Sequence, residues 1–186
     1  MREELRTLVN EKTKLIIVNS PQNPTGGMLT KKDMKVVAEL ADKYDAWILS
    51  DEVYSKIVYE GKHVSIYDFP EVKDRTILLE GHSKTYAMTG WRLGYGIMPP
   101  KLAEAIARLQ TNSNSCTASF TQVAGIEALT GSQSKSRKMV KEFKARRDLI
   151  VDGLNSIPGF TCLKPKGSFY VFPNITGTGR KSKELE

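Results

Sequence analysis

The stretch "SKTYAMTGWRLGY", Ser83 to Tyr95, sets Lys84 and Arg92 close together among aromatic and glycine residues. Like charges repel, so a segment that only fills a core avoids such a pair. The pairing makes chemical sense beside an anion, with Ser83 as a further donor. A lysine amine can condense with an aldehyde and can carry a proton; an arginine and a serine can hold a phosphate. Two upstream segments add complementary groups. "SDEVY" supplies Asp51 and Tyr54, and "NSPQNPTGG" supplies Asn23.

These residues can act together only if the fold gathers them. "KLIIVNS", Lys14 to Ser20, and "AWILS", Ala46 to Ser50, are short apolar runs that read as buried strands. Between them Thr30 caps a helix with Asp33 in its first turn, and Met34, Val37, Ala38 and Ala41 keep the helical period. Strand, helix and strand in that order predict a parallel crossover. "TILLEG", Thr76 to Gly81, is a third strand and "LGYGIM", Leu93 to Met98, a fourth. The segment between them is at the minimum for a parallel crossover and lacks a helical period, so the fourth strand is expected to run antiparallel. Its start then lies at the edge where the first three end. That edge would carry Asn23, Asp51, Tyr54, Ser83, Lys84 and Arg92, where open α/β sheets bind ligands.

Further helices are expected from about Lys101 to Gln110, Phe120 to Leu129 and Ser134 to Leu154. "TCLKPKGSFYVFPNI" reads as two short strands around "PKGS". The fold class is thus a three-layer α/β domain, mostly parallel with one antiparallel strand. Residues 1–133 would form part of this large domain. Residues 134–186 would comprise a linking helix and the start of a small α+β domain, with the change to strands near Asn155.

An amine, a phosphate-binding pair and an opposed carboxylate suit pyridoxal 5'-phosphate. Its aldehyde takes an amine, its phosphate takes donors and positive charge, and its ring nitrogen takes a carboxylate. Each residue also has a plainer reading. Lys84 could be a solvated lysine, Asp51 and Ser83 local caps, Tyr54 core, Asn23 a turn former before Pro24, and Arg92 a surface arginine stacked on Trp91. All of these would have to coincide at one sheet edge.

"NSPQNPTGG", "SDEVYSKIVYEG" and "SKTYAMTGWRLGYGI" resemble, in order and spacing, the signature blocks of class I/II aminotransferases, fold type I pyridoxal-phosphate enzymes. The resemblance implies an amino-group transfer between an α-amino acid and a 2-oxo acid. It implies Lys84 as the cofactor-bound lysine and proton carrier, and Asp51 as the partner of the ring nitrogen. Tyr54 and Asn23 would bond the ring oxygen, and Ser83 and Arg92 the phosphate. It further implies a homodimer with sites at the subunit interface. Members of this family are longer at both ends, so this chain is expected to be a central fragment. The same scaffold serves lyases, decarboxylases and synthases; a ligand-sensing module or an inactive fragment are the readings outside enzymology.

Composition sets the remaining bounds. The chain has 186 residues, 40% hydrophobic and 26% charged, enough for a packed domain. Its net charge of +7 fits acidic small molecules or nucleic acid. No nucleic-acid signature accompanies the basic stretch Lys135 to Asp148, which reads as the solvated face of a helix with Met139, Val140, Phe143 and Ile150 turned inward. No membrane span or signal segment is evident, so neither a membrane nor a nucleic-acid partner is expected. Cys116 and Cys162 form no disulfide framework or metal spacing and read as packing thiols in a cytoplasmic setting. His63 and His82 receive no role.

Overall fold

Apolar β-branched runs build the centre of the molecule in a computed structural model that describes residues 2–185. Strands β1 (Leu15–Asn19), β2 (Trp47–Asp51), β3 (Thr76–Gly81) and β4 (Gly94–Ile97) form one sheet in the order β1-β2-β3-β4. β1, β2 and β3 are parallel, and β4 is antiparallel to β3, as the short connection requires. Helix α1 (Arg2–Leu8) precedes β1, and α2 (Lys31–Lys43) makes the crossover to β2. Thr30 and Asp33 form a reciprocal capping box that starts α2.

The connection from β3 to β4 is not wholly irregular. It contains one helical turn, α3 (His82–Thr85), and a 3-10 turn at Thr89–Trp91. Single turns are too short to leave a hydrophobic period, which is why the sequence pattern omits them. Helices α4 (Pro100–Ser113), α5 (Ser119–Thr130) and α6 (Ser134–Asn155) follow.

The core lies on one face of the sheet. Ile16, Val18 and Ile48 pack there against Met34, Val37 and Ala41 of α2. The opposite face differs from the fully buried strands expected. Ile17 is 68% exposed while its neighbour Ile16 is 7% exposed. The helices on this face stand away from the strands. An open cleft of about 1370 Å³ separates Leu49, Ile77 and Leu79 from Ile106 of α4 and Phe120 and Thr121 of α5.

Three other expectations change. The segment after Asn155 forms no strands; only the isolated bridges Thr161–Asn174 and Val58–Gly167 appear. Pro165 and Pro173 donate no hydrogen bond, and an isolated strand pair is marginal. On α6, Ile150 is exposed, while Arg147 and Val151 are the buried residues. Cys162 is buried, but Cys116 is exposed in the α4–α5 loop rather than packed. Among the described residues no helix is long and apolar enough to cross a membrane, and no His, Cys, Asp and Glu cluster could hold a metal.

Candidate active site

Strand register determines what meets at the ligand-binding edge. Asn19 pairs with Asp51, and Asp51 with Leu79. The Asn19 amide donates to the Asp51 carbonyl at 3.0 Å, as does the Ser20 N–H at 3.2 Å. Gly81 pairs with Gly94, and the His82 N–H donates to the Leu93 carbonyl at 3.2 Å. Ser83 and Arg92 therefore lie equally far beyond the last β3–β4 pair, at the end where β1 and β2 finish. Lys84 follows within the turn α3.

Lys84 is half-buried, with its Nζ 5.6 Å from the centre of the Phe169 ring. Arg92 is exposed and donates from Nη1 to the Thr89 carbonyl at 2.8 Å. Asp51 is half-buried, and its Oδ1 accepts from the Val53 N–H at 3.2 Å. Ser83 is half-buried, and its hydroxyl has no partner among the described residues.

Tyr54 is buried, and its hydroxyl lies 2.7 Å from that of Tyr170. Burial pushes the Tyr54 phenol well above the ordinary tyrosine range. The bond to Tyr170 and the nearby Tyr170 and Asp51 charges act in the same direction, while the Asn23 side chain opposes them. Asn23 sits in a loop with cis peptide bonds at Ser20–Pro21 and Asn23–Pro24, and its N–H donates to Asn19 Oδ1 at 2.8 Å. That loop is docked on the C-terminal segment. The Gly26 carbonyl accepts from the Lys166 and Gly167 N–H groups at 3.1 and 3.2 Å, and the Ser168 hydroxyl donates to the Gln22 carbonyl at 3.2 Å.

Sequence reasoning misses Phe169 and Tyr170. Both rings meet Tyr54 edge-on, at centroid distances of 5.4 and 5.7 Å. Successive residues of a strand point to opposite faces and could not both do this. Neither lies in a strand: Ser168 and Phe169 form a bend, with Ser168 at φ of 55°. Ala87 and Arg92 are also left-handed, with φ of 53° and 54°. Each such conformation costs about 1–2 kcal/mol, and strain of this kind collects at functional sites. Arg147 is missed as well, because its charge suggests solvent. It donates to Glu60 and to the Pro165 carbonyl, each at 2.9 Å, and lies 4.9 Å from the centre of the Tyr59 ring.

The donor set suits pyridoxal phosphate. Among the described residues Lys84, Arg92 and Asp51 enter no ion pair, although Lys144, Arg146 and Arg147 on α6 all do. An amine, a guanidinium and a carboxylate free of ion pairs, with a free hydroxyl, thus stand at one sheet edge, beside a tyrosine and an asparagine.

Known proteins resemble this chain in sequence and fold. The chain matches the family "Aminotransferase class I and II" over residues 2–185. It is 44% identical over 186 residues to aromatic-amino-acid aminotransferase 2 of Thermococcus litoralis, covering 98% of this chain and 48% of that protein. It is 42% identical over 174 residues to the aspartate aminotransferase of Geobacillus stearothermophilus, covering 92% of this chain and 44% of that one. The solved aromatic aminotransferase of Pyrococcus horikoshii superposes with a TM-score of 0.93 at 41% identity, over 98% of this chain and 50% of its own. The chain thus spans about half the length of the curated relatives it matches. By motif order, sheet topology and similarity along its length, this chain is a member of the class I and II aminotransferase family.

Proposed function

We propose that the chain is the cofactor-holding portion of a pyridoxal-phosphate-dependent aminotransferase, which moves an amino group between an α-amino acid and a 2-oxo acid. The observation that carries this reading is that Lys84, Arg92 and Asp51 stand at one sheet edge without ion pairs among the described residues, next to the Tyr54 hydroxyl and Asn23. Pyridoxal phosphate, when bound, supplies an aldehyde and a ring that accepts electrons.

The chain's own groups do the rest. Lys84 would hold the cofactor through its amine and, once the substrate's amino group has displaced it, the freed amine would take the proton from the substrate α-carbon. Asp51 would pair with the protonated ring nitrogen, Tyr54 and Asn23 would donate to the ring oxygen, and Ser83 and Arg92 would hold the phosphate. Residues 1–133 would act as the cofactor-binding part and residues 134–186 as the linking helix and start of a smaller domain. A homodimer of the whole protein and a cytoplasmic location belong to the same reading.

Borohydride reduction of the purified chain with pyridoxal phosphate, followed by peptide mass spectrometry, tests it. Selective labelling at Lys84, lost in Lys84→Ala, is the expected result. Labelling scattered over many lysines, and unchanged in that variant, would sink the proposal.

A further inference from the structure

Glu52 stands one residue from Asp51 and is 2% exposed. Burying a carboxylate is costly unless its oxygens are bonded. Here they are. Oε1 accepts from the Ser50 hydroxyl at 3.0 Å, the Ser65 hydroxyl at 3.0 Å and the Ile66 N–H at 3.1 Å. Oε2 lies 2.6 Å from His63 Nε2. The other ring nitrogen of His63, Nδ1, is buried without a partner, so among the described residues Glu52 is the ring's one hydrogen-bond partner. No lysine or arginine pairs with Glu52 among the described residues.

The cluster sits behind the candidate site rather than in it. Side chains alternate along β2, so Ser50 and Glu52 turn toward the core while Asp51 turns the other way. The carboxylate ties residues 63–66 to the end of β2. On the other side of the same turn the Ser55 hydroxyl donates to Glu80, whose carboxyl burial holds above the usual range. Val53 and Tyr54 are thus clamped between the buried Glu52 and the half-buried Glu80. The clamp reaches further through residues 53–62, since the Tyr59 hydroxyl donates to the Ser168 carbonyl, next to Phe169 and Tyr170.

We infer that Glu52, oriented with His63, is a positioning residue that fixes Asp51 and Tyr54 for the cofactor. The inference rests on the proposed function above. A site held by such a supporting shell loses ligand affinity when the shell loosens, even where the contacting residues are intact.

The test compares His63→Ala, His63→Gln and Glu52→Gln with the parent chain, because Glu52→Gln also disturbs the buried bonds to Ser50, Ser65 and Ile66. Pyridoxal phosphate titration and backbone amide exchange are the readouts. His63→Ala should bind about tenfold more weakly and shift the absorption band of the bound cofactor. His63→Gln, whose amide can still donate, should recover most of both. Amides of Val53 to Ser55 should exchange faster while those of Ile16 and Ile48 keep their protection. Parental affinity and band in His63→Ala and Glu52→Gln would overturn the inference, as would acceleration of every sheet amide together. If the parent chain binds no cofactor, the proposed function fails, and amide exchange decides alone. Selective acceleration at Val53 to Ser55 then supports the clamp, and unchanged exchange removes it.

Discussion

The hydroxyls of Tyr54 and Tyr170 meet at 2.7 Å across a sequence separation of 116 residues. This contact joins the end of β2 to the segment after α6. A buried hydrogen bond of this kind contributes about 1 kcal/mol. Tyr54→Phe and Tyr170→Phe should each destabilise the chain, and a double-mutant cycle should return a coupling of about 1 kcal/mol. Tyr170→Phe should also let Tyr54 ionise at lower pH, because the Tyr170 bond helps raise it. Ultraviolet titration of the phenols reads this. Additive single effects would show that the hydroxyls do not interact.

Alkaline stability should report on Tyr59. Burial pushes its phenol up to about 12, against the opposing effect of Arg147. An unfolded tyrosine ionises near about 10. The folded state therefore keeps a proton that the unfolded state releases, and stability falls as pH rises between these values. Below about pH 10 both states are protonated and Tyr59 contributes no slope. Denaturant midpoints at several pH values should show the decline in the parent and a shallower one in Tyr59→Phe.

Gly26 has φ of 68°, and a Cβ there would overlap Pro165 and come within 3.0 Å of the Gly167 carbonyl. Gly26→Ala should cost about 2–4 kcal/mol through combined strain and overlap. It should also free the Asn23 loop from the C-terminal segment. Equilibrium unfolding, with proteolysis at the 165–170 segment, measures both effects. A cost near zero would show that the two segments part easily.

The two faces of β1 should respond differently. Ile16→Ala should cost about 2–5 kcal/mol, because it opens a cavity under α2. Ile17→Ala on the open face should stay within about 0.5 kcal/mol. Ile17→Lys should reduce self-association, because a charge on an exposed apolar strand discourages pairing with other chains. Sedimentation at several concentrations compares the variants. A large cost for Ile17→Ala would mean that this face is covered in solution.

The frame of the site was legible because strong local signals coincide with topology. Apolar runs marked β1 to β3, Thr30 and Asp33 marked the start of α2, and a connection too short for a crossover marked β4 as antiparallel. What escaped depends on contacts distant in sequence. Arg147 looks solvated until Glu60 and the Pro165 carbonyl are placed beside it. Phe169 and Tyr170 look like alternating strand residues until the fold shows a bend at Ser168 and Phe169. Glu52 and His63 carry no pattern; only the fold brings their side chains to 2.6 Å.

Docking of residues 165–170 onto the Asn23 loop and Tyr54 has a consequence for synthesis. β1 to β3 can pair while the ribosome is still making α6, because their contacts are comparatively local. The aromatic wall cannot close until the chain has advanced past Tyr170. Contacts so remote must overcome the largest loop-closure entropy and form late. A nascent chain would thus present Lys84 beside an unfinished wall until residues 165–170 emerge and close it.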